Sequence, residues 1–359
     1  MEKIICGIQQ IGIGVANNYK AWNWYIKAFG VDVRVFEDDT VAELMLPYTG
    51  GQPQKRHASL AINMQGGGGF EIWQYSGRTP LAPSFDVTLG DLGIFAAKIK
   101  CFDATKAYHH LKSQGIEPLG DVHSGPDGKL HFFVKDPFGN HFQVIESNSW
   151  FNNLDKPTGG TYGAVIGVSD IDKSLVVYQK ILGYDKIVFD GVDSFNDLKD
   201  LPGGTRQMRR VVLTHSSPRK GALSELIGDS QIELVQLVGD KANKIFENRF
   251  WGDLGFIHLC FDVKHMSALE KECNEAGFPF TVNSNVKHNT NGSFDMGEAA
   301  GHFTYIEDPD GTLIEFVETH KIPIMKNLGL FISLDKRDPE KRLPRWMLKL
   351  LGLKKVKGL

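Results

Sequence analysis

Cysteine is scarce: four residues in 359 (Cys6, Cys101, Cys260 and Cys273), with no CxxC spacing. That scarcity argues against a disulfide framework and a thiolate zinc site, and for a reducing compartment. An excess of either charge is lacking too. The formal net charge of −3 gives no electrostatic footing for nucleic-acid binding. No apolar run reaches the roughly eighteen residues of a membrane-spanning helix, and Met1–Cys6 lacks the apolar core of a secretory signal. A cytoplasmic protein is expected. Hydrophobic and charged fractions of 42% and 23% are ordinary for a globular chain, and the length suggests two or three domains. Glycine is plentiful, 39 residues among many short alternating runs, as in a turn-rich protein with much sheet.

Those runs repeat. Gly14–Tyr25 aligns without gaps with Gly167–Tyr178, and the register continues through Phe29-Gly30 against Leu182-Gly183. Glu71-Ile72-Trp73-Gln74 matches Glu233-Leu234-Val235-Gln236. A second pair of units opens with Gly90-Asp91-Leu92-Gly93 and Gly252-Asp253-Leu254-Gly255. They close with Asp136-Pro137-Phe138-Gly139 and Asp308-Pro309-Asp310-Gly311. The second half is therefore a diverged copy of the first, and each half holds two units. Each unit reads as strand, helix, then several strands. Asn17 and Asp170 stand as N-caps, Gly115 and Gly277 as helix stops, and Gly66–Gly69 as a hairpin turn without the lysine of a phosphate loop. His258 lies in the alternating run His258–Val263, and Glu315 in a second run just after a Pro-Asp-Gly turn. An imidazole and a carboxylate on two strands of one sheet can converge on a divalent cation.

The repeat, with its Asp-Pro-x-Gly-x3-Glu ending, resembles the vicinal oxygen chelate superfamily (glyoxalase I, bleomycin-resistance proteins, extradiol dioxygenases) over about residues 4–320. The resemblance implies an α+β fold of four βαβββ modules in two glyoxalase-like domains with curved, mostly antiparallel sheets. The expected boundaries are an N-terminal domain 1–150 (modules 4–77 and 90–149), a C-terminal domain 160–320 (modules 160–240 and 252–320) and a basic amphipathic tail 321–359. It also implies one ligand from the first strand and one from the last strand of a module. The first unit offers Gln10 and Glu71, the second Ala96 and Gln143, the third Gly163 and Glu233, and the fourth His258 and Glu315. Glyoxalase-like geometry joins units one and four, giving one metal site of Gln10, Glu71, His258 and Glu315 and a dead counterpart between units two and three. If units paired within each half instead, the set would be Glu233, His258 and Glu315.

Such oxygen and nitrogen ligands suit Zn or Ni, with Mn, Co or Fe as alternatives. A substrate chelating through adjacent oxygens would have its α-proton acidified, with Glu315 as general base and Glu71 as its partner. Lyase, isomerase or epimerase-type proton transfer follows as the expected reaction class. Where the resemblance places glutathione-holding side chains, this sequence has Gly14, Tyr75 and Leu254, which argues against glutathione thioester chemistry. Lack of a second histidine argues against dioxygenase chemistry. The competing expectation is a non-catalytic small-molecule binder of the bleomycin-resistance type, with Trp22, Trp24, Trp73, Trp150, Phe151 and Trp251 as candidate cleft residues. His302 reads as a surface histidine. The expected partners are a small-molecule substrate or ligand and, as monomer or homodimer, at most a second copy. The leucines of the tail are expected to pack on protein rather than to lie on a membrane.

Overall fold

The computed structural model describes residues 1–284, 294–295, 300–325, 330–334, 336–356 and 359. The first unit contains β1 (Ile4–Gly14), α1 (Asn18–Phe29), β2 (Val33–Ala42), β3 (Gln54–Ile62) and β4 (Gly69–Tyr75). The second contains β5 (Gly93–Cys101), α2 (Ala104–Ser113), β6 (Pro118–Ser124), β7 (Leu130–Lys135) and β8 (His141–Glu146). In the third follow β9 (Thr158–Gly167), α3 (Ile171–Leu175), β10 (Lys186–Asp193), β11 (Met208–Thr214), α4 (Ser224–Ile227) and β12 (Gln231–Leu237). The fourth has β13 (Gly255–Lys264), α5 (Met266–Glu275), β14 (Val282–Asn283), β15 (Phe294–Asp295), β16 (Ala300–Glu307), β17 (Leu313–Met325) and β18 (Leu330–Ser333). A last helix, α6 (Arg345–Lys349), runs into a 3-10 turn, Leu350–Lys354.

Local chemistry sets the helix ends. The Asn17 side chain accepts from the Lys20 N–H at 2.9 Å, and Asp170 does the same for Lys173 at 3.2 Å. These contacts satisfy amide donors that have no intrahelical partner. The apolar spacing of α1 buries Ala21, Trp22, Tyr25 and Phe29. Trp24 is only half-buried, one position off that stripe. After α3 the helix widens into a π-turn over Val176–Ile181, so the third unit repeats the first in position but not in pitch.

Two mixed sheets result. The first runs β14-β16-β17-β13-β1-β4-β3-β2, the second β10-β11-β12-β9-β5-β8-β7-β6. At the centre of the first, β1 lies antiparallel to β13, with β4 parallel to β1 and β17 parallel to β13. The second sheet has the same plan around β5 and β9. Unit one therefore pairs with unit four, and unit two with unit three. Pairing within each half is not what forms, and Glu233 stands in the other sheet from His258 and Glu315. The largest apolar cluster takes Ile11, Ile13 and Leu259 from the first sheet, Ala97, Phe142 and Ile166 from the second, and the buried faces of the helices. Burying each such large side chain contributes about 1.5–3 kcal/mol. The opposite, concave faces differ. That of the second sheet is filled by Leu198, Leu201, Phe95 and Phe133 among others, whereas that of the first leaves a cavity of about 580 Å³. The tail packs on the first sheet, with Leu343 and Leu348 buried in a cluster with Val33, Ile62 and Leu226. Residues 326–329, 335 and 357–358 of the tail, including Lys357, lie outside the described residues.

Candidate metal centre

The four predicted ligand positions stand on four adjacent strands, β4-β1-β13-β17. In β-register Gly12 sits between Glu71 and His258, and Cys260 sits between Gln10 and Glu315. The ligand strands thus repeat one arrangement on either side of the β1–β13 seam. Ligand atoms of Glu71, His258 and Glu315 all lie within 4.8 Å of one another. His258 Nε2 is 3.3 Å from Glu71 Oε2 and 3.2 Å from Glu315 Oε2. Gln10 is buried beside them and lines the same cavity.

What lets the imidazole reach this place is a residue that carries no chemistry. A Cβ at Gly12 would meet His258 Cε1 at 2.4 Å and both ring nitrogens at 2.7 Å, so the ring lies across a strand stripped of its side chain. Trp251 lies nearly parallel to the imidazole at 6.2 Å between centroids, and Tyr305 brings its hydroxyl to 3.5 Å from Nδ1. Neither Gly12 nor Tyr305 carries a signal in the sequence, because its role depends on a strand far away along the chain.

Burial opposes every charge here. It pushes Glu71 up, but contact with the His258 imidazole and the charge of Arg56 outweigh it, and the carboxyl ends below its ordinary value. Glu315 goes the other way: burial and the negative charge of Glu71 hold it above the usual range against the pull of His258. For His258, burial disfavours the charged ring, yet the two carboxylates more than offset it and raise the imidazole. One site therefore holds two carboxyls driven apart.

The donor set fits a divalent cation. Gln10 Oε1, His258 Nε2 and Glu315 Oε2 are buried and make no hydrogen bond, although Nε2 stands close to both carboxylates. Buried polar atoms without partners are costly and rare. Two donors, each ~2.1 Å from a tetrahedrally held zinc ion, stand roughly 3.4 Å apart, close to the separations seen. Gln10, Glu71 and Glu315 line one cavity, and His258 Nε2 stands against both carboxylates, an arrangement that would suit a divalent cation.

The sequence matches the Glyoxalase/Bleomycin resistance protein/Dioxygenase superfamily twice, over residues 7–144 and 163–316. The chain belongs to this superfamily. Solved structures agree in fold. A putative dioxygenase from Bacillus subtilis subsp. subtilis str. 168 superposes with a TM-score of 0.54 at 13% identity, covering 88% of this chain and 86% of that one. Glyoxalase I from Zea mays does so with a TM-score of 0.51 at 15% identity, covering 88% of this chain and 92% of that one. No curated protein matches the sequence.

The superfamily usually binds a divalent metal, and here the second set of positions is built differently from the first. Ala96 and Gly163 offer no ligand atom. Glu233 is fully buried, and its carboxylate accepts from Lys98 Nζ at 2.5 Å and Arg210 Nε at 2.6 Å. Burial works against it, yet the charges of Arg210 and Lys98 win and hold the carboxyl down at about 2. Asp197, from the segment that fills this face, bonds Arg210 at 2.7 Å and His131 at 3.0 Å. Two fixed cationic side chains thus hold the third unit's carboxylate.

Of the six aromatic cleft candidates, Trp251 alone lines the cavity. Trp22 and Trp73 are fully buried core, and Trp150 stacks on Phe102 at 3.7 Å between centroids. Phe151 packs under the tail. His302 corrects the expectation of a surface histidine. It is buried on β16 between β14 and β17, with Nε2 2.8 Å from Asn283 Oδ1 of β14, a neighbour that the sequence pattern alone does not place there. At Gly14 a Cβ would meet the Asp253 carbonyl oxygen at 2.0 Å, so this position holds no side chain of any kind. Among the described residues, no helix is long and apolar enough to cross a membrane.

Proposed function

We propose that this protein is a metal-dependent enzyme that moves a proton on a small substrate chelating the metal through adjacent oxygens, as a lyase, isomerase or epimerase does. The observation that carries this reading is the buried cluster of Glu71, His258 and Glu315, with the unpartnered Oε1 of Gln10 beside it. Gln10, Glu71, His258 and Glu315 would hold the ion, zinc or nickel by donor type, with manganese, cobalt or iron as alternatives. When bound, the ion supplies Lewis acidity that makes a proton next to a chelated carbonyl easier to remove.

The rest is done by this chain's residues. Glu315 accepts the proton, as a carboxylate placed beside the chelated substrate can, with Glu71 as its partner across His258. Trp251, Phe303 and Tyr305 line the cavity beside the site. One observation favours a second reading, a non-catalytic binding protein: the cavity is lined mainly by apolar side chains.

Metal content by ICP-MS on protein purified without a metal-affinity tag separates the two. About one metal per chain is expected, lost in Glu71→Ala and His258→Ala and kept in Glu233→Ala. Deuterium uptake at the α-carbon of hydroxyacetone, followed by NMR in D2O, is expected with wild type and not with Glu315→Gln. A wild-type protein that stays metal-free after reconstitution overturns the enzyme reading and leaves the binder.

A further inference from the structure

The cavity extends well beyond the metal centre, and the part farthest from it is walled by segments that the fourfold repeat does not supply. One is the connection between β11 and β12, residues 215–230. Its counterpart in the first unit, 63–68, is a short turn, and those of units two and four are shorter still. This connection carries α4 across to the other sheet, where a Cβ on Gly7 of β1 would meet Ile227 Cγ2 at 2.7 Å. The other segment is the tail. Leu223, Leu226 and Ile227 from the connection and Leu351 from the tail line the cavity, facing Ile62 and Ile322 of the first sheet.

These two segments are fastened to each other. Glu225 pairs with Arg342 at 2.9 Å and also with Arg345. The Leu343 N–H donates to the Ala222 carbonyl at 2.9 Å, and the Gly221 N–H donates to the Glu340 carbonyl at 3.2 Å. Farther along, the Val356 N–H donates to the Asp32 carbonyl at 2.8 Å, which ties the tail to the start of β2. Several charged residues of the lining have partners of their own, and Lys354 Nζ donates to the Val35 carbonyl at 3.4 Å. Arg56 is paired with Asp38 at 2.5 Å, and Lys321 lies 4.0 Å from the centre of the Phe331 ring. The cavity thus runs from a polar end, at Gln10, Glu71 and Glu315, to an aliphatic end closed by a clamped roof.

We infer that the substrate is an amphipathic molecule whose head carries two adjacent oxygens and whose body is a hydrocarbon chain, seated between the first sheet and the roof formed by α4 and the tail. The head assignment rests on the metal-centre reading above; the hydrocarbon body rests on the lining alone. A cavity of about 580 Å³ falls in the range that encloses most of a drug-sized molecule. A hydrophilic body would leave its polar groups unpaired against leucine and isoleucine, which is costly.

The test uses n-alkyl hydroxamates, which chelate through two adjacent oxygens and differ only in chain length. Their binding to the full-length, zinc-loaded protein is measured by calorimetry from acetohydroxamate to octanohydroxamate. Affinity is expected to rise about fourfold per methylene until the chain fills the cavity. Leu351→Asp and Leu226→Asp are expected to abolish that rise and keep acetohydroxamate binding. The n-alkanols of matching length, which lack the chelating head, test the body alone. If alkanols show the chain-length rise but acetohydroxamate does not bind, the metal head is wrong and the hydrocarbon body stands. If neither wild-type series depends on chain length, or a hydroxamate with an ether-oxygen chain binds as well as the alkyl one, the hydrocarbon assignment is overturned. The wild-type series decides this even if a variant fails to fold.

Discussion

Gly12→Ala adds one methyl group at the crossing of β1 and His258. Alanine is tolerated in a β-strand, and it restricts the unfolded chain, which alone favours folding by about 0.4–1 kcal/mol. Against this, the new Cβ would stand 2.4 Å from His258 Cε1 and 2.7 Å from both ring nitrogens. Overpacking of this kind costs about 1–3 kcal/mol. The ring cannot retreat freely, since Trp251 lies on one side and Tyr305 meets it edge-on at 5.6 Å between centroids. A net loss of about 1–2 kcal/mol is expected in urea unfolding. The larger effect is on the metal. An imidazole turned away from the two carboxylates should weaken zinc binding by about 10–100-fold, the usual range for disturbed ligand orientation, read by competition with a chromophoric chelator. In a His258→Ala background the clash has no partner, so adding Gly12→Ala should leave stability unchanged or raise it. A Gly12→Ala protein with wild-type stability and wild-type zinc affinity would refute the geometry proposed for the centre.

The second sheet and a buried lysine give two more predictions. Glu233→Gln leaves Lys98 and Arg210 without their shared carboxylate and should cost about 3–5 kcal/mol, with metal content unchanged. Because the folded carboxyl is held at about 2, its contribution is full above the unfolded value and lost as pH falls through the folded one. Urea midpoints should therefore drop less between pH 5 and 2 in Glu233→Gln than in wild type, and equal acid slopes would show that the network is not the cause. Burial pushes Lys100 down to about 7, while its Nζ donates to the Gly66 and Ile227 carbonyls at 2.6 and 3.0 Å. The unfolded chain keeps this proton to about pH 10, so wild-type stability should gain more than that of Lys100→Met between pH 7 and 10. Parallel curves would refute the assignment.

The parts of this protein that were legible in the sequence are those the repeat duplicates. Gln10, Glu71, His258 and Glu315 stand out as ligand candidates because the superfamily resemblance points to the first and last strand of a module, and the shared registers of the repeat mark those strands in each unit. Strand alternation and the caps at Asn17 and Asp170 are local, and they formed as read. What stayed hidden depends on distant segments meeting. Gly12 reads as one glycine among many until β13 lies beside it. His302 reads as a surface histidine until β14 lies beside β16 and Asn283 meets its ring. Lys98 and Arg210 give no hint that Glu233 lies between them. The roof over the cavity was invisible for a related reason: 215–230 and the tail fall outside the repeat, so no second copy marks them.

The seam between β1 and β13 also bears on the order in which the protein can be made. Partners across it range from Gly14 with Gly255 to Ile4 with Lys264, so the first strand leaves the ribosome long before the strand it needs. At ordinary synthesis speeds that wait is roughly 10–50 s. The second and third units are consecutive, and β5 and β9 can join as soon as both have emerged. The middle of the chain is thus free to fold first, with the outer units closing around it last. Until then β1 presents an unpaired edge of Ile8, Ile11 and Ile13, the kind of surface that recruits chaperones or aggregates. A truncation that removes the fourth unit would leave that edge open for good and take two of the four proposed ligands, His258 and Glu315, with it.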